Sequence, residues 1–310
     1  MKKIISLLVF GSAFFLSSFG QDSLDNTPVS KPKKKVKSTF NSSHIINMHS
    51  VEIVPKGNLQ FMIAHHFGVI WNKEQDAGQN LAQVFGFNSG IAHTYLSFDY
   101  SPTNFANVGV ALTGNSMFEG FVKFKILKQA GKQNSPVSIG WISLANVDAQ
   151  SSSVDTIEQN KLGWNKFTYM HQLFIARKFS KTFSLQIMPT YIHYNIVPYG
   201  MENSNDIFSL GMGAKYQLST NKALTIEYSH QFNMYENVIT KTGNIVNYEP
   251  DLLALGFEFN TGGHVFQFFV GNTTAATNIE QLTRNTNFIK DGKFALGFRM
   301  NRSFFLGAKE

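Results

Sequence analysis

The chain contains no cysteine among its 310 residues. This absence excludes disulfide bridges, thiolate metal sites, cysteine nucleophiles and a lipid anchor on an N-terminal cysteine. Charged residues make up only 15%, whereas a soluble domain typically carries about 25%. Beyond the N-terminus no apolar run is long enough for a helical membrane span. Low charge without such runs, together with 30 Phe and 10 Tyr, favours strands that are apolar on one face only.

The formal net charge of +7 lies mostly at the N-terminus. Seven lysines and two aspartates fall within residues 1–37, which leaves 20 basic and 18 acidic residues in the remainder. The folded part is therefore almost neutral. It has no basic face of the kind that binds nucleic acid, and no nucleic-acid partner is expected.

Residues 1–20 have the pattern of a Sec-type signal peptide. Lys2 and Lys3 precede an apolar stretch over 4–15, and small residues lie before an expected cleavage site at Gln21. Residues 21–43 are polar and Lys-rich, which predicts a flexible linker because such a segment buries too little apolar surface to order itself. Residues 44–310 are then the folded domain, and the expected location is the bacterial outer membrane.

A two-residue alternation of apolar and polar side chains recurs from residue 57 onward. In 207–218, for example, Phe208, Leu210 and Met212 alternate with Ser209, Gly211 and Gly213. Twelve strands are predicted, with fourteen as the alternative: 57–69, 89–100, 105–114, 117–130, 135–147, 165–180, 182–195, 207–218, 222–234, 250–260, 263–272 and 291–300. Many of these exceed the roughly 5–6 residues of strands in soluble proteins and approach the 9–11 or so that cross a bilayer.

The predicted links between strands alternate in length. Short turns at 101–104, 131–134, 180–181, 219–221 and 261–262 alternate with long polar loops at 70–88, 148–164, 196–206, 235–249 and 273–290. Only the link at 115–116 is short where a long one is due. Short periplasmic turns and long extracellular loops are typical of outer-membrane barrels.

The predicted fold class is therefore an all-β, antiparallel transmembrane β-barrel. A β-sandwich or a soluble barrel would also alternate, but so many Phe-rich and Leu-rich faces exceed what one small soluble core can hold. In lipid these faces lie outside, and closure of the barrel pairs every backbone polar group.

The polar parity predicts which side chains line the lumen. The candidates are His66, His93, Asp99, Glu119, Lys123, Lys125, Lys215, Glu227, Glu258 and Arg299. Because both signs of charge occur, we expect pairs that brace the wall, with a selectivity ring as the alternative.

No catalytic, cofactor or metal site is predicted. His44, His49 and His66 have no acidic partners at a fixed spacing, and the sequence has no phosphate loop or nucleophile elbow. His230 follows Ser229, but neighbouring residues of one strand point to opposite faces, so this pair does not form a hydrolase site by itself.

Two stretches resemble a known family. Residues 44–52 (HIINMHSVE), followed by 56–61 (KGNLQF) and 65–68 (HHFG), form the first, and 118–129 (FEGFVKFKILKQ), followed by 136–138 (PVS), form the second. Together they resemble a family of outer-membrane β-barrels from Bacteroidota with no known function, over roughly residues 40–300. The resemblance implies envelope localisation and a barrel, and it implies no substrate, cofactor or catalytic residue.

Three functions remain open at this point. The leading one is a small-solute channel or transporter; the others are a structural or docking barrel whose loops bind a protein partner, and a lipid-modifying enzyme. Outer-membrane lipid is the expected partner in each case. Segment 44–56 precedes the first strand and is interpreted as an extra strand, a plug in the lumen or a periplasmic cap. A plug would predict gating.

Overall fold

The computed structural model describes residues 36–84, 93–114, 116–129, 135–149, 167–196, 205–233, 238–239 and 243–306. The predicted signal peptide and most of the predicted linker lie outside these ranges. No helix in the described ranges has the length and hydropathy that a membrane-spanning helix requires.

Twelve long strands make up the wall. They are β1 (Asn58–Trp71), β2 (His93–Tyr100), β3 (Ala106–Thr113), β4 (Met117–Leu127), β5 (Ser138–Asp148), β6 (Phe167–Lys178), β7 (Phe183–Tyr194), β8 (Asp206–Ser219), β9 (Lys222–Gln231), β12 (Asp251–Asn260), β13 (His264–Gly271) and β14 (Phe294–Phe305). Two short strands, β10 (Val238–Ile239) and β11 (Ile245–Val246), lie between β9 and β12 in the sequence and pair only with each other, outside the barrel sheet. The helices are α1 (Ala77–Val84), α2 (Asn278–Thr283) and a 3-10 helix (Ile289–Asp291).

The twelve strands form a closed antiparallel barrel in which each long strand pairs with the next one along the chain. The first and last strands close it: Met62 of β1 lies opposite Asn301 of β14, and the pairing extends from Asn58 to Trp71. The predicted fold class is confirmed, and each of the twelve predicted strands overlaps one strand of the wall. The predicted strand positions 89–92, 130, 165–166 and 234 lie outside the described residues. Closure leaves no sheet edge unpaired, which a strand in a bilayer requires.

The outer surface is apolar and the inner surface is polar. On β8 the side chains of Phe208, Leu210 and Met212 point outward and are exposed, whereas Ser209 and Lys215 point inward and are buried. The same alternation holds on β9, where Leu224 and Ile226 are exposed and Glu227 is buried. This is the reverse of a soluble barrel and suits a wall surrounded by hydrocarbon.

The two rims differ as the sequence predicts. One end of the barrel, which we call the short-turn rim, holds the strand ends at Tyr100 and Ala106, Leu127 and Ser138, Lys178 and Phe183, Ser219 and Lys222, and Asn260 and His264. The other end, the long-loop rim, holds the strand ends at Trp71 and His93, Thr113 and Met117, Asp148 and Phe167, Tyr194 and Asp206, Gln231 and Asp251, and Gly271 and Phe294.

Residues 36–56 form a hairpin inside the barrel, which we call the plug hairpin. It begins and ends at the short-turn rim: Val36 N–H donates to Gln129 O, and Gly57 N–H donates to Ser101 O. Its turn is closed by a hydrogen bond from Ile45 N–H to Met48 O (2.8 Å), and His44 bridges to His49. The segment left open in the sequence analysis is therefore a plug.

This placement corrects the predicted linker boundary. The sequence predicts a linker over residues 21–43, but residues 39–43 lie inside the barrel, where Thr39 and Phe40 are almost fully buried. The composition of this stretch gives little apolar surface, and its polar side chains are instead satisfied by partners in the wall, as when Asn41 bonds Gln217 and Glu258. A polar segment can order itself when another part of the chain supplies its hydrogen bonds.

The link 272–293, which we call the cap loop, folds into the barrel from the long-loop rim. Ile279 and Leu282 of α2 are buried in the same apolar cluster as Ile45 and Met48 of the plug hairpin. Thr277 caps α2 by accepting from Glu280 N–H, and Thr283 Oγ1 lies 2.6 Å from Tyr194 Oη on β7. The plug hairpin and the cap loop meet where Asn278 Nδ2 donates to Asn47 O (3.2 Å).

Candidate functional site in the barrel lumen

The ten candidate lumen residues lie on or near the inner surface, and most contact the plug hairpin. Eight are at most 3% exposed: His66, Asp99, Glu119, Lys123, Lys215, Glu227, Glu258 and Arg299. Lys125 lies at the short-turn end, where its side chain is 10% exposed. His93 lies at the opposite end and lines a cavity of about 150 Å³ beside the cap loop, together with Glu280 and Arg284.

Glu227 holds the turn of the plug hairpin. Its carboxylate accepts from three consecutive backbone N–H groups, those of Ile46 (3.2 Å), Asn47 (2.9 and 3.0 Å) and Met48 (3.1 Å). Three successive amides pointing to one side form a concave site for an anion. A buried carboxylate needs such partners, because burying it without them would cost several kcal/mol, on the order of the penalty for an unpaired ion.

Arg299 and Gln267 bind the carbonyl side of the same turn. Arg299 Nη1 donates to Ile46 O, and Gln267 Nε2 donates to Ile45 O (2.8 Å). The carboxylate of Glu227 therefore binds N–H groups of this turn, and the guanidinium of Arg299 binds a carbonyl group of the same turn. The mixed charges brace the plug hairpin rather than forming a ring of one sign.

Gln186 binds the returning arm at two points. Its Oε1 accepts from Val51 N–H (2.7 Å), and its Nε2 donates to His49 O (2.8 Å). One side-chain amide thus replaces the two hydrogen bonds that a neighbouring strand would make.

Lysines hold the end of the plug hairpin near the short-turn rim. Lys123 Nζ donates to Ser43 O (3.2 Å) and Glu52 O (2.6 Å), and Lys125 forms an ion pair with the Glu52 carboxylate. On the other side Lys215 Nζ donates to Asn41 Oδ1 (2.9 Å), and Asn41 in turn donates to Glu258.

Glycines in the wall receive the apolar side chains of the plug hairpin. A Cβ added at Gly213 would lie 2.4 Å from Ile45 Cδ1, and one at Gly256 would lie 3.1 Å from Ile46 Cδ1. A Cβ at Gly211 would lie 3.0 Å from Met48 Sδ. These positions fit the plug hairpin because they have no side chain.

Two histidines of the plug hairpin are buried side by side. The rings of His44 and His49 lie 4.0 Å apart, and His49 packs edge-on against Phe121 at 5.1 Å. Burial holds the pKa of His49 well below its usual range, and the positive charges of Lys123 and Arg299 lower it further. Burial likewise depresses the pKa of His44, followed by the effects of His49, Arg299 and Lys123. Both rings are therefore neutral in this conformation.

The histidines do not gather into a metal centre in the described part of the chain, where no set of three His, Asp or Glu side chains has the required arrangement. His66 Nε2 instead lies 2.9 Å from Asn47 Oδ1 at the hairpin turn. His230 faces outward and contacts Asp251, while Ser229 beside it points into the barrel.

Sequence reasoning found the wall residues that carry charge but missed the neutral ones. Gln186 and Gln267 bond the plug hairpin as directly as the charged side chains do. Their signal was weak: Gln186 shares its inward parity with Ser184 and Thr190, whereas Gln267 lies between the inward-facing Val265 and Phe269. An uncharged amide at such a position resembles ordinary barrel lining, so it did not stand out.

Comparison with known proteins gives one family and several distant structures. No curated protein matches the chain. A porin named KdgM is 9% identical over 80% of this chain and 99% of its own, with a TM-score of 0.45. An outer membrane channel from Pseudomonas putida F1 is 12% identical over 82% of this chain and 98% of its own, with a TM-score of 0.47.

The strand pairing described above carries the fold assignment, and the family model covers the same region. Residues 40–304 match the model described as "Membrane bound beta barrel domain (DUF5777)". The match begins inside the plug hairpin and ends in β14, so it includes most of the plug hairpin and nearly all of the wall. The chain belongs to this family of membrane-bound β-barrels.

Proposed function

We propose that the protein is a small-solute channel of the bacterial outer membrane that its own plug hairpin holds closed. One observation carries this proposal. The centre of the lumen is filled by a segment outside the strand pairing of the wall, rather than by wall side chains meeting across the axis.

The size of the plug hairpin sets the size of the passage. Its two arms run side by side, and paired strands are spaced roughly 4.8 Å apart. Removal of both arms would leave a water-filled passage on the order of 10 Å across, by the same spacing and allowing for side chains. A passage of that width admits small solutes and excludes folded proteins.

The lining suits a passage that water can enter. When the plug hairpin leaves, Glu227, Gln186, Gln267 and Lys123 exchange its backbone groups for water, so their hydrogen bonds are replaced rather than lost. The barrel wall itself does not depend on these contacts, because its strands pair with one another.

The outer-membrane location rests on the signal-peptide pattern, the apolar outer surface and the unequal rims. Barrels of this architecture enter the bilayer with short turns at the periplasmic side. The plug hairpin then enters from the periplasm, and the cap loop lies on the extracellular side.

A structural or docking barrel is the second candidate, because the lumen is filled from both ends. In that case the plug hairpin and cap loop would be permanent parts of the core and would never leave it. The two candidates differ in a single property, which is whether the plug hairpin can move while the wall stays closed.

A reversible lock tests this property directly. The chain has no cysteine, so Ile45→Cys with Gly213→Cys introduces one defined pair. An ideal Cβ at Gly213 lies 3.2 Å from Ile45 Cγ2 and 3.5 Å from Cγ1. Both atoms are bonded to the Ile45 Cβ, which places the two Cβ atoms near the roughly 3.5–4.5 Å that a disulfide spans.

Single-channel recordings in planar bilayers supply the readout. A channel predicts discrete openings of the reduced double variant, no openings after oxidation, and their return on reduction. Each single-cysteine variant serves as a control and should open regardless of redox state. Absence of openings in the reduced protein, or equal openings in both states, contradicts the proposal and favours the docking barrel.

A further inference from the structure

The wall binds the plug hairpin through its backbone. Glu227 accepts from the N–H groups of residues 46–48, and Gln186 bonds the N–H of Val51 and the carbonyl of His49. Gln267, Arg299 and Lys123 donate to the carbonyls of residues 45, 46, 43 and 52. These five wall side chains thus contact atoms that every peptide has.

The depressions between these groups accept side chains that are large and apolar, and they make no further selection among such side chains. Gly213, Gly256 and Gly211 receive Ile45, Ile46 and Met48. Hydrogen bonds to the main chain with alternating pockets for side chains are the general means by which proteins bind extended peptides. The two-point contact of Gln186 requires a donor and an acceptor side by side, and an extended peptide backbone presents such a pair repeatedly along its length.

The charges of the same surface match a short peptide with free ends. Glu227, Lys123 and Arg299 are buried and carry both signs, so the surface favours neither a polyanion nor a polycation. A zwitterionic peptide brings one ammonium and one carboxylate and can be neutralised at both ends.

We propose that the inner wall is a binding surface for short peptides with bulky apolar side chains, and that the plug hairpin occupies it as a built-in competitor. This inference rests on the proposed channel function and names its class of solute. A peptide that reaches the lumen takes over the hydrogen bonds of the plug hairpin, and the wall groups are left paired in both states.

The test uses the full chain with a weakened plug hairpin and an intact wall. Ile45→Asn places a polar group over Gly213 and should raise the frequency of openings without altering any wall side chain. Ile46→Asn, over Gly256, is a second variant in case the first does not fold, and the heat-modifiable migration of the barrel in gels reports folding for both.

The probe is a synthetic peptide with the sequence of residues 43–52, SHIINMHSVE. Added to the open variant, it should interrupt the current, and the concentration for half block should rise at least tenfold when the amides corresponding to residues 46–48 and 51 are N-methylated. A linear trisaccharide should not block. Gln186→Leu, which leaves a branched apolar side chain one carbon shorter and removes both hydrogen bonds, should weaken the block by the peptide at least tenfold.

The outcomes separate the two proposals. Openings with no block by the peptide, or equal block by the methylated peptide, overturn the peptide assignment and leave the channel standing. Block by the trisaccharide at the same concentration also overturns it, because the lumen would then bind any polar solute. If neither folded variant opens, the channel function fails and the peptide assignment fails with it.

Discussion

The backbone N–H of Asn47 donates to both carboxylate oxygens of Glu227, at 2.9 and 3.0 Å, although the two residues are 180 positions apart in the chain. The contact joins the wall to the turn of the plug hairpin, its most deeply inserted point. The charge of Glu227 in β9 therefore affects the position of the plug hairpin, which has no strand pairing with the wall.

Replacing this carboxylate should release the plug hairpin. Glu227→Ala removes the acceptor of three N–H groups, and hydrogen bonds to a charged group contribute about 1.5–3 kcal/mol each. Water recovers part of this loss, so we expect the closed state to weaken by about 3 kcal/mol. That corresponds to a roughly hundredfold rise in the ratio of open to closed time in single-channel recordings.

Glu119→Ala is the matched control for that variant. Glu119 is an equally buried inward-facing glutamate, but it accepts from Tyr95 Oη rather than from the plug hairpin. Its substitution should leave the opening frequency close to that of the wild type. Equal effects of both substitutions would mean that the wall, and not the Glu227 contact, controls closure.

Acid should favour opening through His44 and His49. Docking lowers the pKa of both rings, and a ring in the released hairpin returns toward about 6.5. The stabilisation of the docked state is therefore fully present above roughly pH 6.5 and is lost as the pH falls, by up to about 1.4 kcal/mol per pH unit for each ring. The opening frequency should therefore be higher at about pH 5.5 than at about pH 7.5, which lie on either side of the free-ring pKa of about 6.5.

The double substitution His44→Gln with His49→Gln should remove most of this pH dependence. His65→Gln is the control, because His65 lies on the outward parity of β1 and bonds Thr94. An opening frequency that stays constant or falls in acid would show that these two rings do not govern docking.

A methyl group at Gly213 should displace the plug hairpin, and a smaller side chain at position 45 should allow the hairpin to bind again. In Gly213→Ala the new Cβ would lie 2.4 Å from Ile45 Cδ1, and overpacking of this kind costs about 1–3 kcal/mol. Adding Ile45→Val removes the clashing Cδ1 atom. The pair should open less often than Gly213→Ala alone, which a double-mutant cycle on opening frequency measures.

Gly120→Ala provides the comparison, because a Cβ there would meet no atom within 4 Å. It should behave as the wild type does. Additive effects of the Gly213 and Ile45 substitutions would contradict direct packing between the two residues.

The ion pair between Lys125 and Glu52 should be recoverable by exchange of charge. Both side chains are largely buried, at 10% and 13% exposure. Lys125→Glu leaves two like charges together, and breaking a buried pair costs about 3–5 kcal/mol. The combination with Glu52→Lys restores opposite signs, so protection of the plug hairpin from protease at the short-turn rim should fall in the single variant and return in the double variant.

The pair Lys293 and Glu74 serves as a control for exposed charges. Its atoms are 3.9 Å apart and Glu74 is mostly exposed, so Lys293→Glu should change little. If the double variant of Lys125 and Glu52 stays as susceptible to protease as the single one, the pair does not hold the plug hairpin.

The wall was predictable because alternation is a local signal. In β8 and β9 each side chain reports by its polarity which way it points, and lipid outside and water or protein inside make the pattern strong. The unequal links gave the rims for the same reason, since turn residues act within a few positions of the chain.

The plug hairpin was not predictable from composition, because what orders it is distant in sequence. Asn41 and Ser43 read as linker residues until Glu258 and Gln60 supply their partners. The cap loop gives a second example: Asn278 looks like any polar loop residue, yet its amide bonds the carbonyl of Asn47. The alternation of polar and apolar residues carries no information about contacts between irregular segments. The sequence therefore left the position of the plug hairpin open and gave no sign of the cap loop inside the barrel.

The plug hairpin enters and leaves through one rim, with Val36 near Gln129 and Gly57 near Ser101. The hairpin is therefore inserted from one end of the barrel and is not threaded through it. Traction on the residues before position 36 can withdraw it while all twelve strand pairings stay intact, and an emptied cylinder can be refilled by the same route. Topologically, assembly of the wall and filling of its bore are independent events, and neither has to precede the other.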